Sequence, residues 1–159
     1  MGSKVNDKAV EKEAKELAEK TLSLLGFDLK PKVTKKEDAV YVEIEGDDLG
    51  LLIGQHGSNL ESLQLIMSIA LNKELKTEEW VPVLVDVGGW RKQREESIRV
   101  LIERAKEKIA NGEPQFELPA MSPAQRRTTH MIVAEDGGYV SESVGTGEER
   151  RVVIKKANA

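Results

Sequence analysis

The sequence predicts an α+β protein made of two small units. Long segments in which apolar residues recur at helical spacing alternate with short segments in which apolar and polar residues alternate. Gly88-Gly89 interrupts this pattern and divides the 159 residues into two parts, each large enough for a small domain. The hydrophobic fraction of 39% and the charged fraction of 33% are typical of a globular protein.

The composition excludes several classes of function. The sequence has no cysteine, which excludes disulfides, thiolate zinc sites and cysteine nucleophiles. Its two histidines fall in different predicted units, which argues against a two-histidine metal site. We find none of the motifs of serine hydrolases, zinc proteases or nucleotide-binding loops, and we therefore expect neither an enzyme nor a cofactor. No stretch approaches the roughly 20 apolar residues of a membrane span.

An amphipathic helix and a hairpin open the first unit. The helix is predicted over residues 7–25, with Asn6 or Asp7 as its N-cap and Gly26 at its end. Two alternating strands separated by a tight turn follow, and we expect them to pair in antiparallel orientation. The apolar face of the helix is predicted at Val10, Ala14, Leu17, Thr21 and Leu24. The strands are predicted at residues 31–36 and 39–45.

The stretch LLIGQHGSNLESLQLIMSIAL contains a Gly-x-x-Gly turn between two apolar segments. Gly54 and Gly57 allow a tight bend and the close approach of a ligand to the backbone. Ser58 and Glu61 have the spacing of a capping box, which predicts a long helix over residues 59–76. The N–H groups at the start of that helix would face the same space as the turn, where they suit an anion such as a phosphate.

The long helix carries apolar residues on more than one side. Leu65 and Ile69 lie roughly opposite its main apolar face, by steps of about 100° per residue. An apolar pair on that side predicts a second contact, with the other unit or with another chain. The main face is predicted at Leu60, Leu63, Ile66, Met67, Ala70 and Leu71. The flanking elements are a short helix over residues 49–53, capped by Asp47 or Asp48, and a strand over residues 80–87.

Two helices and three short strands are predicted in the second unit. The first helix covers residues 90–110. The second begins after Ser122, because Ser at the N-cap, Pro123 at the first helical position and Gln125 at the third form a strong start signal. The strands are predicted at residues 115–118, 139–143 and 151–155. The buried face of the first helix is predicted at Ile98, Leu101, Ile102, Ala105 and Ile109.

Positive charge is concentrated in the second unit. Residues 1–89 carry 11 Lys and Arg against 17 Asp and Glu, whereas residues 90–159 carry 13 against 11 and hold all eight arginines. Arg126 and His130 are four residues apart on a predicted helix, so they share a face near its N-terminus, where the helix dipole favours anions. The predicted receptor for a phosphate or carboxylate consists of Arg126, Arg127, His130, Arg150 and Arg151.

These motifs resemble those of two known domains. The elements around Ile53-Gly54-Gln55-His56-Gly57 resemble a type II KH domain, in the order helix, strand, strand, helix, Gly-x-x-Gly turn, helix, strand. The Arg126-x-x-x-His130 spacing resembles the R-three-H domain, a small α+β domain. With the segments VDVGGWRKQREE, MSP and GEERRVVI, the chain is similar to the bacterial Jag family. The resemblance implies a KH domain at residues 5–88 and an R-three-H domain at residues 90–157.

The Jag family joins these two domains and is associated with sporulation and cell elongation. Many Jag-like proteins have an additional N-terminal domain and linker, and we expect this chain to lack them. The resemblance implies a cytoplasmic bacterial protein that binds single-stranded RNA, with single-stranded DNA as an alternative ligand. The KH turn would clamp about four nucleotides by their backbone, and the Arg-x-x-x-His helix would make a second phosphate contact. The implied nucleic-acid-binding residues are Ile53, Gly54, Gln55, His56, Gly57, Ser58, Arg126, Arg127, His130, Arg150 and Arg151.

Other interpretations of these residues stay open. The two glycines of the turn can serve its geometry alone, His130 can be a hydrogen-bonded, half-buried histidine, and Arg126 can anchor the last strand. Ile53 and Leu60 form either the apolar floor of a base-binding groove, between the long helix and the second strand, or part of the core. The two central positions of the turn are usually partly basic, whereas Gln-His occupies them here, so the phosphate contact would rest on backbone N–H groups.

An alternative function is that of a protein-interaction module. Its KH unit would pair with a small single-KH-domain protein or with a second copy of the chain. Leu65 and Ile69 favour this alternative, as does the acidic first half. Trp80 and Trp90 are interpreted as core or interdomain packing residues, because nothing in the sequence resembles the exposed aromatic sheet of an RNA-recognition motif.

Overall fold

The first unit contains three helices and three strands in the predicted order. The computed structural model describes residues 6–157, so residue 5, the predicted start of the first domain, lies outside the described residues. The chain divides into two units, one ending at Trp90 and the other beginning at Arg91. The elements of the first unit are α1 (Asp7–Leu24), β1 (Lys32–Lys36), β2 (Ala39–Ile44), α2 (Gly50–Ile53), α3 (Ser58–Leu75) and β3 (Val83–Val87).

The three strands form one sheet in the order β1-β2-β3. β1 and β2 pair in antiparallel orientation, which confirms the predicted hairpin, and β2 and β3 pair in parallel. Because side chains alternate along a strand, every second residue of β2 and β3 enters the core beneath the helices. These buried residues are Val40, Val42, Ile44, Val83, Val85 and Val87.

Polar side chains of the helices hold the two edges of this sheet. Asn72 of α3 clamps Val81, because its Nδ2 donates to the Val81 carbonyl at 2.8 Å and its Oδ1 accepts from the Val81 N–H at 2.7 Å. The Val85 N–H donates to Gln64 Oε1 at 3.0 Å. At the other edge, the Lys35 N–H donates to Glu11 Oε1 at 2.7 Å. α3 therefore lies over β3, and α1 over β1.

The rotational phase of α1 and α3 differs from the prediction. The predicted face of α1 includes Leu17, Thr21 and Leu24, but Leu24 is 79% exposed. Ala18 and Leu22 are buried instead. The buried residues of α1 are Val10, Ala14, Ala18 and Leu22. The small side chains of Ala14 and Ala18 let the helix approach the sheet closely. The prediction placed the larger Leu17 and Leu24 in the core because it considered hydrophobicity alone. On α3, Ile66 is 59% exposed, so its predicted place in the core is wrong.

Two predicted helix caps are wrong, and both lie beside the Gly-x-x-Gly turn. The N-cap of α2 is Leu49, without a side-chain hydrogen bond, so neither Asp47 nor Asp48 caps this helix. The N-cap of α3 is Gly57, also without a side-chain hydrogen bond. Ser58 already has helical backbone angles and therefore cannot act as the cap, which removes the predicted capping box with Glu61.

The second unit has two helices packed on a three-stranded sheet. The sheet has the order β4-β6-β5 with both pairs antiparallel. The predicted capping box at the start of α5 is confirmed: the Gln125 N–H donates to Ser122 Oγ at 3.4 Å and the Ser122 N–H donates to Gln125 Oε1 at 3.1 Å. The elements are α4 (Trp90–Ala110), β4 (Gln115–Glu117), α5 (Pro123–Glu135), β5 (Tyr139–Val144) and β6 (Arg151–Lys156).

A separate hydrophobic core supports this second sheet. α4 buries the predicted face except for Leu101, which is partly buried. The buried members are Ile98, Ile102, Ala105, Ile109, Leu118, Met121, Ile132, Val133, Val152 and Ile154. The alternation of these helices and strands confirms the predicted α+β fold. Among the described residues, no helix combines the length and the apolar character needed to cross a membrane.

Candidate nucleic-acid interface

The Gly-x-x-Gly turn joins α2 to α3 through a very short connection. The Gly54 N–H donates to the Gly50 carbonyl at 2.8 Å, and the Gly57 N–H donates to the Gly54 carbonyl at 3.3 Å. Gly54, His56 and Gly57 have φ angles of 71°, 53° and 84°, so the backbone passes through left-handed conformations that favour glycine. Gln55 and His56 are both exposed at the tip of the turn.

Internal packing explains why both positions are glycine. A Cβ atom on Gly54 would lie 2.5 Å from Asn59 Cγ, and a Cβ atom on Gly57 would lie 2.3 Å from Trp90 Cη2. Asn59 is itself fixed, because its Nδ2 donates to the Leu51 carbonyl at 2.8 Å. The glycines are thus required by the packing of the turn, before any approach of a ligand is considered.

The start of α3 attracts anions toward this turn. Its N-cap residue, Gly57, makes no side-chain hydrogen bond, and the positive end of the helix dipole lies next to the exposed Gln55 and His56, with the carboxylate of Glu61 in the same first turn. Ser58 is exposed and its N–H donates to the Gln55 carbonyl. Ile53 is partly buried against the first core, and Leu60 is fully buried. Leu60 is therefore a core residue and cannot be the floor of a groove.

His130 is held between two serines of β5. Its Nδ1 lies 2.7 Å from Ser141 Oγ, and its Nε2 lies 2.8 Å from Ser143 Oγ. Burial lowers the pKa of His130 below its ordinary value of 6.5, and the positive charge of Arg126 lowers it further. Both ring nitrogens are therefore engaged within the protein, and His130 links α5 to β5.

Arg126 is also anchored within the second unit. Its Nη1 donates to the Met121 carbonyl at 2.8 Å, and the Met121 N–H donates to the Arg150 carbonyl at 3.1 Å. Arg126 is half-buried, whereas Arg127 and Arg150 are exposed. The start of α5 and the start of β6 are thus fastened together, which brings three of the predicted arginines into one region.

Arg151 lies on the other side of the sheet. Val152 and Ile154 point into the core, and side chains alternate along a strand, so Arg151 faces away from α5. Its Nε donates to the Glu149 carbonyl at 3.1 Å, and its Nη1 lies 3.8 Å from Glu117 Oε2. The structure therefore does not bring Arg151 together with Arg126 and His130.

Sequence reasoning missed the residues that hold these motifs. Trp90 and Asn59 support the turn, and Ser141 and Ser143 hold His130. The sequence predicts Trp90 as a core or interdomain packing residue, and Trp90 does pack against the first core, but its contact with Gly57 is not predicted. The Ser-x-Ser spacing of β5 is the one signal that places two hydroxyls on the same face of a strand. Within residues 6–157, no three or more His, Asp or Glu side chains are grouped so that they could hold a metal ion.

Two domain families match the chain. The family described as the KH domain of KhpA/KhpB matches residues 8–80, and the R-three-H domain family matches residues 96–156. The protein is therefore of the class that joins a KH domain to an R-three-H domain. These two matches confirm the predicted resemblance to the Jag family, which joins the same two domains.

The relatives are bacterial proteins named RNA-binding protein KhpB. The protein from Clostridium symbiosum is 29% identical over 130 residues, which cover 82% of this chain and 58% of the relative. The protein from Lactiplantibacillus plantarum is 32% identical over 106 residues, which cover 66% of this chain and 32% of the relative. The protein from Streptococcus pneumoniae is 23% identical over 116 residues, which cover 73% and 35%. The chain thus spans less than two thirds of the length of each relative.

Proposed function

We propose that the protein binds single-stranded nucleic acid and prefers RNA to DNA. The KH unit, residues 5–88, clamps the backbone of the strand at the Gly-x-x-Gly turn. The R-three-H unit, residues 90–157, adds a second phosphate contact. The names of the relatives support RNA as the ligand. The observation that carries the proposal is the N-terminus of α3 at Gly57, next to an exposed two-residue tip, Gln55-His56, in a domain that matches the KH family.

The clamp relies on backbone groups more than on side-chain charge. The chain has a formal net charge of −4, and the excess of acidic residues lies within residues 1–89, which carry 17 Asp and Glu against 11 Lys and Arg. Phosphates are therefore attracted locally, by the dipole of α3 at the exposed tip. Such a clamp holds a strand in place without reading its sequence, and base selectivity belongs to neighbouring side chains.

The second contact is formed by the exposed arginines of the R-three-H unit. Arg127 and Arg150 have guanidinium groups accessible to solvent, and the anchored Arg126 adds its charge between the segments that carry them. His130 positions β5 in this arrangement rather than touching the phosphate, because both of its nitrogens contact serines. We leave Arg151 out of the proposed contact, because it lies across the sheet from Arg126.

A pair of aspartates at the tip of the turn tests the proposal. The double variant Gln55→Asp/His56→Asp places two negative charges where the phosphates would lie, and Asp tolerates the left-handed conformation of residue 56. We expect its affinity for single-stranded RNA, measured by fluorescence anisotropy, to fall by about tenfold or more. Gly57→Asp is unsuitable for this purpose, because its side chain would collide with Trp90.

Lys76→Asp is the matched control. Lys76 is exposed at the far end of α3, has a φ angle of 50°, and its replacement changes the net charge by the same amount as the double variant. We expect its affinity to stay within about twofold of the parent protein. Equal affinities of the parent and double variant, with both folded, would rule out the clamp. An affinity that does not decline from low to moderate salt would rule out phosphate contacts altogether.

The cellular role is proposed from the family resemblance. We extend the proposal to a cytoplasmic regulator of cell elongation, division or sporulation, as the family resemblance implies. Crosslinking in cells followed by sequencing of the bound RNA would identify its targets. Recovery of no RNA above the level of the Gln55→Asp/His56→Asp variant would contradict a regulatory role exerted through RNA.

A second candidate function is pairing with another KH protein. Leu65, Ile66, Ile69 and Trp80 are 59%, 59%, 52% and 59% exposed, respectively, and the first three lie on one stretch of α3. A large exposed apolar patch commonly marks a protein-interaction site. The partner would be a small single-KH-domain protein or a second copy of this chain.

Sedimentation of the purified protein, with and without RNA, separates this function from the first. We expect self-association to be lost in Ile66→Glu while RNA affinity is retained. Val100→Glu is the matched control, since Val100 is 62% exposed on another helix. A protein that sediments as a monomer, alone and with a single-KH-domain protein, would exclude the pairing function.

A further inference from the structure

The geometry points to Trp90 as the residue that positions the Gly-x-x-Gly turn. Trp90 lies outside both matched regions, which end at residue 80 and begin again at residue 96. It is nevertheless packed against the core of the first unit. This inference rests on the proposed function of the turn, and it adds a residue that sets the geometry of the clamp without touching nucleic acid.

The contact between Trp90 and Gly57 is unusually close. A Cβ atom on Gly57 would lie 2.3 Å from Cη2, 2.8 Å from Cζ3 and 3.0 Å from Cζ2 of Trp90. These three atoms form the outer edge of the indole, so the six-membered ring presses on the backbone of Gly57. Gly57 is buried and is also the N-cap residue of α3. The indole therefore supports the turn at the point where α3 begins.

Two consecutive glycines precede Trp90 and allow it to reach this position. Gly88 and Gly89 have φ angles of 60° and 69°, which turn the chain sharply between β3 and α4. The Gly88 N–H donates to the Ile44 carbonyl at 2.8 Å, and a Cβ atom on Gly88 would lie 3.2 Å from Leu49 Cδ1. Gly88 is thus held by contacts with β2 and with Leu49, the residue before α2.

The turn consequently has two supports of different origin. Asn59 lies beneath Gly54 and belongs to the motif region, whereas Trp90 lies beneath Gly57 and arrives from the end of β3. With both glycines fixed from below, Gln55 and His56 are held at the exposed tip. Holding a binding loop in its bound conformation raises affinity by lowering the entropy lost on binding.

Trp90→Phe isolates this contact. Phenylalanine keeps an aromatic ring against the core but is too short to reach Gly57 with the edge that the indole provides. We expect RNA affinity to fall by roughly fivefold in Trp90→Phe, with the amide resonances of Gln55 and His56 shifted in the free protein. Trp80→Phe is the matched control, since Trp80 is 59% exposed, and we expect neither change in it.

A double-mutant cycle with Gly57→Ala identifies the route of the effect. Alanine at this φ angle strains the backbone equally whether residue 90 is Trp or Phe. Any difference between the effects of Gly57→Ala in the two proteins therefore reports the clash of the new Cβ atom with the indole. In the Trp90 protein we expect Gly57→Ala to weaken RNA binding by about tenfold, and in the Trp90→Phe protein by less than about threefold. An equal cost in both backgrounds would overturn the inference.

The cycle also separates this inference from the proposed function. The amide shifts of Gln55 and His56 and the urea midpoint are measured on the free protein, so they report the Trp90–Gly57 coupling whether or not RNA binds. If these quantities show the coupling but the protein does not bind RNA, Trp90 supports the turn and the proposed RNA clamp is wrong. RNA binding that is abolished by Gln55→Asp/His56→Asp, yet unchanged in affinity and tip resonances by Trp90→Phe, would retain the clamp and reject the role of Trp90.

Discussion

His130 shows how a signature residue can serve the fold at the scale of a single side chain. It contacts Ser141 and Ser143, and its half-buried ring lies near the positive charge of Arg126. Burial first, and this charge second, lower the pKa of His130. The neutral ring is thus the form that suits the folded protein.

The lowered pKa predicts that acid destabilises the second unit. An unfolded histidine takes up a proton near pH 6.5, whereas His130 in the folded protein does so at a lower pH. The unfolded state binds more protons between these values, so the free energy of unfolding decreases as the pH falls below about 6.5. Urea unfolding at several pH values between 7.5 and 5.5 measures this slope. The same slope in His130→Gln would contradict the prediction.

The sequence indicated where the proposed binding residues lie better than why they have these identities. The exposed tip Gln55-His56 and the helix that carries Arg126 and His130 were predicted from local spacing. The reason for glycine at position 57 was not, because the indole that requires it lies far away in the sequence. Contacts of this kind depend on the path of the chain between β3 and α4, which no local pattern specifies.

Helix starts illustrate the same limit at the scale of the element. Ser58 and Ser122 both precede a polar residue at the capping-box spacing, and both were predicted to cap helices. Only Ser122 does so, since Pro123 fixes the first helical residue after it. At the other site, Gly57 reaches a left-handed conformation and starts the helix one residue earlier than predicted. The α3 faces shifted too, because the helix packs on β3 through Asn72 and Gln64 as well as through apolar residues.

The two serines therefore predict opposite outcomes of the same substitution. Ser122→Ala removes the hydroxyl that accepts from the Gln125 N–H, and we expect it to lower the free energy of unfolding by about 1 kcal/mol. Ser58→Ala removes no cap from an exposed helical position, and we expect a change within about 0.5 kcal/mol. Urea denaturation followed by circular dichroism measures both. Equal losses in the two variants would contradict this assignment of the caps.

At the scale of the whole molecule, charge and shape are divided between the two units. The first unit has the Gly-x-x-Gly turn but no arginine, and the second unit has all eight arginines. Neither alone has the features of a strong nucleic-acid site. Under the proposed function, a strand long enough to occupy both sites would bind the second at a raised effective concentration, because one chain carries both.

The proposed function therefore predicts that affinity depends on the length of the RNA strand. We expect a 30-nucleotide strand to bind about a hundredfold more tightly than one of about four nucleotides, which fills a single KH clamp. Either Gln55→Asp/His56→Asp or Arg127→Ala/Arg150→Ala should remove most of this gain, because the remaining site then binds alone. Arg104→Ala, an exposed arginine on α4 outside the proposed contacts, should keep it. A gain that survives in both variants would show that the strand does not bridge the two units, and that length acts only through the number of overlapping sites on the RNA.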